Sequence, residues 1–209
     1  MKKKAYIFDL DGTLLDSGGL WAQIDRDFLG RRGLSVPADY EASIASMSLL
    51  QAAEYTVRRF GFPETPEELM NEFFNMALAA YRDTIPPIPG AVEYVRKVKA
   101  EGHKLALATA AIPEFYVPAL TRCGIYDAFD LHIASGGAIQ KDDPVFYRDL
   151  AAQLGAECTD CIFFDDIYTN ITAAKSVGMQ TVFLRNPKKV PDGNFPDADH
   201  VILQFTEIM

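Results

Sequence analysis

The apolar positions along the chain fall into two patterns. Runs that are apolar at nearly every position occur at 5–8, 105–108, 131–134, 161–164 and 181–184. A strand covered by helices on both faces has no reason to alternate apolar and polar residues, so such runs predict a parallel sheet clad on two sides. Between them the apolar spacing turns helical and carries end signals. One helix starts near Pro89 and stops at Gly102, with Val92, Val95 and Val98 on one face. A second has Asp143 as its cap and Pro144 in its first turn, and ends at Gly155; a third runs from about Tyr168 to Gly178. Proline just inside a helix start and glycine just past its end are the expected punctuation. Alternating strands and helices predict a doubly wound, Rossmann-like α/β core, with 201–203 as a short last strand.

Residues 16–86 break this alternation. No strand run occurs there, and Leu20, Ile24 and Phe28 have helical spacing, as do Leu50, Ala53, Val57 and Phe60. Leu69, Phe73, Met76 and Ala80 form a third set behind Thr65-Pro66-Glu67-Glu68, a capping box with proline at the first turn. The chain returns through the stiff linker Ile85-Pro86-Pro87-Ile88-Pro89-Gly90. The organisation predicted is a core of residues 1–15 and 87–209 carrying an all-helical cap, 16–86. Trp21 and the Met and Phe positions at helical spacing read as the core of that cap.

The apolar runs end in polar residues. The first ends in Asp9-Leu10-Asp11-Gly12-Thr13, the second in Thr109, and the fourth in Asp165-Asp166. Ligands of a doubly wound sheet bind beyond the carboxyl ends of its strands, so four carboxylates and a hydroxyl would converge there. Such carboxylates repel one another unless a cation intervenes, and an all-oxygen ligand set suits a hard ion such as Mg²⁺. Asp9 and Asp11 are two apart and face one side of an extended segment. One can bind metal and attack while the other reaches a leaving group, and Gly12 permits the sharp turn that follows.

The net charge of -9 argues against nucleic acid as a partner and requires a local positive charge for any anionic substrate. The cysteines are Cys123, Cys158 and Cys161; Cys158 and Cys161 have C-x-x-C spacing, but no second pair exists to complete a zinc site, and they read as structural. The apolar stretch after Met1-Lys2-Lys3-Lys4 is too short for a signal peptide, and no run is long enough to span a membrane. A cytoplasmic, monomeric enzyme is expected.

The motifs, in order, are Phe8-Asp9-Leu10-Asp11-Gly12-Thr13-Leu14, then Leu107-Ala108-Thr109, then Lys141 before Asp142-Asp143-Pro144, then Phe164-Asp165-Asp166 with Asn170 and 173–179. In order and spacing the chain resembles the haloacid dehalogenase superfamily of phosphotransferases, in the helical-cap branch that contains β-phosphoglucomutase and phosphoglycolate phosphatase-like enzymes. The resemblance implies Asp9 as nucleophile through an aspartyl-phosphate and Asp11 as general acid and base. It implies Mg²⁺ held by Asp9, the Asp11 carbonyl and Asp166, with Asp165 at or just behind the ion. Thr109, Ala110 and Lys141 would bind the phosphoryl group, and Asn170 would support Lys141 or a metal-bound water. Three positions depart from the family pattern: Asp142 stands where proline is frequent, Ile167 where a small hydroxyl residue is frequent, and Ala110 where Ser or Asn is common.

Asp11 speaks against a dehalogenase, because carbon–halogen cleavage needs no acid at the leaving group. The mutase branch uses a cap histidine and a cap lysine. Here His103, His132 and His200 all lie outside 16–86, and no lysine occurs between Lys4 and Lys97. The expected function is therefore Mg²⁺-dependent hydrolysis of a small phosphorylated metabolite. The alternatives are a phosphomutase and a non-catalytic phosphometabolite-binding protein. Arg26, Arg31, Arg32, Arg58, Arg59 and Arg82 are the cap cations available to a second anionic group.

Overall fold

A computed structural model describes residues 3–45, 47–134 and 140–209. By internal contacts the chain divides into two compact units, Met1–Ser17 with Ile85–Met209, and Gly18–Thr84.

The first unit is built on six parallel strands: β1 (Ala5–Phe8), β2 (Lys104–Thr109), β3 (Leu131–Ala134), β4 (Cys161–Asp165), β5 (Gln180–Leu184) and β6 (His200–Ile202). Their order across the sheet is β3-β2-β1-β4-β5-β6. The chain winds outward from β1 in one direction, then restarts at β4 on its other side, so the topological switch lies between β1 and β4. The five apolar runs correspond to β1–β5, and β2 and β4 each continue one residue further at the carboxyl end. Thr109 and Asp165 end the apolar pattern without ending the extended backbone.

Both faces of the sheet are buried, as the continuous runs require. On one face Ala5, Ile7, Ala106, Ala108, Cys161 and Phe163 pack with Tyr147, Leu150, Ile171 and Ala174. These come from α7 (Pro144–Gln153) and α8 (Tyr168–Ser176). On the other face Phe8 stacks on Phe164 at 4.6 Å, and both meet Tyr94 of α5 (Ala91–Ala100) and Phe205. Asp143 caps α7 by accepting the Val145 N–H at 2.8 Å. The sheet unit also contains α6 (Pro113–Arg122), which the sequence pattern does not announce: Pro118 inside it reads as a helix breaker.

The second unit is all-helical: α1 (Leu20–Arg31), α2 (Tyr40–Ile44), α3 (Leu49–Phe60) and α4 (Pro66–Asp83). Thr65 and Glu68 form the expected reciprocal capping box of α4. The buried faces are shifted from the expected ones. On α3 they are Ala52, Ala53 and Thr56, with Leu50 exposed; on α4 they are Leu69, Phe73, Ala77 and Tyr81. Small residues on α3 allow close packing, and the Thr56 hydroxyl is satisfied by the Ala52 carbonyl at 2.7 Å. Trp21 is 47 % exposed, contrary to its expected place in a core. Two of the arginines are committed inside this unit. Arg32 lies over the Phe28 ring at 3.8 Å and bridges Glu64 and Glu72, and Arg59 pairs with Asp39. No described helix is long and apolar enough to cross a membrane.

Candidate active site

The register of the central strands brings the first and last motifs together. Phe8 pairs with Phe164, so Asp9 and Asp165 stand side by side one residue further on, and the Asp9 N–H donates to the Phe164 carbonyl at 2.9 Å. Both follow, at a spacing of two, residues that face α7 and α8, namely Ile7 and Phe163. By strand alternation the two carboxylates belong to that same face.

Beyond Asp9 the chain turns at once. The Leu10 carbonyl accepts the amides of Thr13, Leu14 and Leu15, and Leu10, Leu14 and Leu15 are fully buried. The loop is thereby pinned, with Leu10 buried and Asp11 partly exposed. Gly12 has φ +86°, and a Cβ placed there would lie 2.1 Å from Asp166 Oδ2. The turn therefore needs glycine for two reasons: the backbone conformation and the carboxylate packed against it.

Lys141 joins the cluster. Its Nζ lies 2.7 Å from Asp9 Oδ1 and 2.6 Å from Asp165 Oδ2. Asp165 is held firmly: Oδ1 accepts the Ile167 N–H at 2.7 Å, and Oδ2 also accepts Asn170 Nδ2 at 3.1 Å. Asn170 thus bonds Asp165 rather than Lys141. Carboxylate oxygens of Asp9, Asp165 and Asp166 all lie within 4.8 Å of one another. A set of oxygen donors at this spacing could hold a hard divalent cation.

The electrostatics agree with that reading. Burial, reinforced by the charges of Asp165 and Asp166, drives Asp9 up from 3.8 to about 8 against the pull of Lys141. Burial and the charge of Asp165 raise Asp166 to about 6, with Lys189 and Lys141 opposing. Burial alone would lower Lys141, but Asp9 and Asp165 outweigh it and hold the ammonium above its ordinary range. Three carboxylates against one buried lysine leave an excess of negative charge that a metal ion would relieve.

Beside this cluster is a cavity of about 350 Å³, lined by Asp9, Asp11, Ala110, Gln140, Lys141, Asp142, Ile167, Thr169 and Asn170. Thr109 does not line it. Thr109 is buried at the end of β2, where its Oγ1 accepts the Ala111 N–H at 2.9 Å. The sequence reading did not single out Gln140 or Thr169 in the cavity wall, or Lys189 acting on Asp166 from the loop after β5. Gln140 precedes the motif lysine and Thr169 precedes Asn170, so adjacency was their only signal. Lys189 had none. A larger cavity of about 840 Å³ lies within the helical unit between α1 and α4, and it holds no comparable convergence of carboxylates with a buried lysine.

The raised carboxylates give a pH prediction with a definite sign. A group whose pKa is higher in the folded chain than in the unfolded one favours folding below its unfolded value, and this contribution is lost as pH rises through its folded value. For Asp9 that window runs from 3.8 to about 8, and for Asp166 from 3.8 to about 6. Metal-stripped protein is therefore expected to melt at progressively lower temperature between about pH 5 and about pH 8, and the stabilisation by added Mg²⁺ should grow over the same range. Calorimetry with and without chelator measures both trends. A metal-free melting temperature that rises steadily with pH would contradict the assignment.

Comparisons with known proteins agree with this geometry. Residues 3–178 match the family model of haloacid dehalogenase-like hydrolases. Hexitol phosphatase B of Escherichia coli K12 is 27 % identical over 208 residues, which cover 98 % of this chain and 93 % of that protein. A phosphoglycolate phosphatase of Pseudomonas fluorescens is 28 % identical over 184 residues, covering 85 % and 68 %. Among solved structures, a Thermotoga maritima protein described as a β-phosphoglucomutase superposes with a TM-score of 0.82 at 22 % identity, covering 97 % of this chain and 94 % of that one. CbbY of Rhodobacter sphaeroides, solved with phosphate, superposes with a TM-score of 0.73 at 20 % identity, covering 99 % and 96 %. With a match across most of its length and a doubly wound sheet that carries a helical insertion, the chain belongs to the haloacid dehalogenase-like hydrolases.

Proposed function

We propose that this protein is a Mg²⁺-dependent phosphatase that hydrolyses a small phosphorylated metabolite, such as a sugar or polyol phosphate, through a phosphoryl group carried on Asp9. The observation that supports it most is the Asp9 carboxylate at the cavity wall, 2.7 Å from a buried lysine and among two further aspartates. The phosphatases among its relatives fit the same reading. Residues 1–15 and 87–209 form the catalytic core in this proposal, and 16–86 its cap.

An Asp9 oxygen attacks phosphorus, and the ester P–O bond to the leaving alcohol breaks. Asp11, two residues on and in the cavity wall, gives its proton to the departing oxygen. It then takes a proton from a water molecule that attacks the phosphoryl-aspartate, and the P–O bond to Asp9 breaks to release phosphate. Lys141 supplies a fixed positive charge as charge shifts among the phosphoryl oxygens, and Ala110, in the cavity wall just after β2, borders the phosphoryl position while Thr109 supports that turn from behind through its bond to the Ala111 amide. A Mg²⁺ held by Asp9, Asp166 and the Asp11 carbonyl would offset the repulsion between carboxylate and phosphate and favour ionised Asp9. Asp165, whose oxygens are engaged by Lys141, Asn170 and the Ile167 amide, holds Lys141 in place.

Purified protein should hydrolyse a chromogenic phosphomonoester with Mg²⁺, lose that activity with a chelator, and regain it when Mg²⁺ is restored. The proposal fails if the chelator leaves the rate unchanged. It also fails if folded, Mg²⁺-bound protein turns over nothing in a panel of sugar, polyol and short-chain phosphates.

A further inference from the structure

On the sheet face that carries Ile7 and Phe163 lies a polar group that the mechanism above does not use. Tyr147 of α7 is 0 % exposed, and its hydroxyl has no hydrogen-bond partner among the described residues. A buried hydroxyl left without a bond is costly, so native structures rarely keep one without a reason. A phenylalanine would fill the same space without that cost.

The surroundings of the hydroxyl indicate what it serves. The Tyr147 ring packs edge-on against Phe163 at 4.9 Å, and the Lys141 Nζ lies over that same Phe163 ring at 5.7 Å. Tyr147 belongs to the cluster on the face of the sheet that carries Ile7 and Phe163, the face to which Asp9 and Asp165 belong. Burial pushes the phenol up, and the charges of Asp165, Asp9 and Asp142 push it further, so the group stays a neutral O–H donor. A phenol in the field of several carboxylates lowers its energy by turning its hydrogen toward them.

Asp165 has an acceptor to spare. A carboxylate offers about four lone-pair sites. Among the described residues Oδ2 takes bonds from Lys141 and Asn170, and Oδ1 takes one from the Ile167 amide, which leaves one site on Oδ1.

We propose that Tyr147 is a positioning residue whose hydroxyl donates, through one ordered water, to the remaining acceptor site of Asp165 and so fixes the carboxylate that holds Lys141 against Asp9. This rests on the phosphatase reading only in what the positioned lysine does; the hydrogen bond itself is independent of it. The bond matters most when Lys141 turns from Asp9 to a phosphoryl oxygen. Asp165 then restrains the lysine, and a loosely held Asp165 would let it drift.

Tyr147→Phe removes the oxygen and keeps the ring, so the variant is expected to fold. Two readouts test the proposal. The melting temperature of the metal-free variant should fall by about 2–4 °C, the effect of losing one net-favourable hydrogen bond in a chain of this size. An unchanged or higher melting temperature would mean that the hydroxyl is merely an unsatisfied group, and would overturn the proposal. With a chromogenic phosphomonoester and saturating Mg²⁺, kcat should fall about tenfold with KM unchanged, as expected for a group that supports a site residue without touching substrate. Unchanged kcat, or a loss entirely in KM, would also overturn it. Wild-type protein without phosphatase activity would count against the function proposed above, and the thermal readout would then decide the role of Tyr147 alone.

Discussion

Asp9→Asn is expected to lower kcat by at least about 10⁴-fold, the scale of loss when the attacking group of an enzyme is removed, while making the metal-free protein more resistant to heat at about pH 8. The two effects share one cause. Asp9 is 6 % exposed and stands beside Asp165 and Asp166, so its ionised form is disfavoured and its pKa is pushed to about 8. Asparagine has the same shape and cannot ionise, which removes that penalty. Lys141 keeps an anionic partner, because Asp165 lies 2.6 Å from its Nζ. The amide cannot form the phosphoryl-enzyme, so turnover is lost while the fold improves, the usual relation between strained site residues and stability. Phosphate release and calorimetry on one preparation measure both. A variant that retains a tenth or so of wild-type kcat would remove Asp9 from the role of nucleophile.

Lys141→Met is expected to destabilise metal-free protein by about 3–5 kcal/mol above about pH 8, the usual cost of stripping one partner from a buried ion pair. Methionine preserves most of the apolar stem, so lost packing contributes little. What remains is Asp9 and Asp165, 6 % and 0 % exposed, without their shared cation. Protonation of Asp9 relieves part of this cost at lower pH, so the loss should shrink toward about pH 5. Saturating Mg²⁺ should restore much of the stability by supplying positive charge to the same carboxylates. It should not restore activity: kcat is expected to stay lower by about 10²–10³-fold, the range for removing one group that stabilises transition-state charge. Urea titrations with and without Mg²⁺ across this pH range provide the measurement. Stability independent of pH and metal would show that Lys141 is not the counter-charge of the cluster.

Most of the fold was legible because burial on both faces of a parallel sheet leaves a mark in composition. Runs such as Cys161–Phe163 and Ala106–Ala108 have no polar position, and the first leads through Phe164 to Asp165 in the carboxylate cluster. The convergence of Asp9 with Asp165 was likewise legible, since both end central strands. What sequence did not carry was side-chain direction within the helices. Leu50 and Ala53 have helical spacing, yet Ala52, Ala53 and Thr56 are the buried set on α3, because small residues there allow α4 to approach. Trp21 was misread for a related reason: its size suggests a core, but only packing decides burial. Lys189, whose charge acts on Asp166, and Tyr147 carried no signal of their own in the sequence. The first lies in a loop whose course no motif sets. The second reads from its spacing as one more core aromatic, and only the placement of its oxygen distinguishes it from phenylalanine.

The central claim is that Asp9 itself takes up the phosphoryl group. It is tested most directly by mixing enzyme, Mg²⁺ and a phosphomonoester substrate, quenching with acid during turnover, and mapping the phosphoryl adduct by peptide mass spectrometry. The adduct should be found on Asp9 in wild-type protein, should vanish on treatment with hydroxylamine as an acyl phosphate does, and should be absent from Asp9→Asn. Steady turnover with no adduct at any quench time, joined with an Asp9→Asn variant that hydrolyses the same substrate at an undiminished rate, would contradict it.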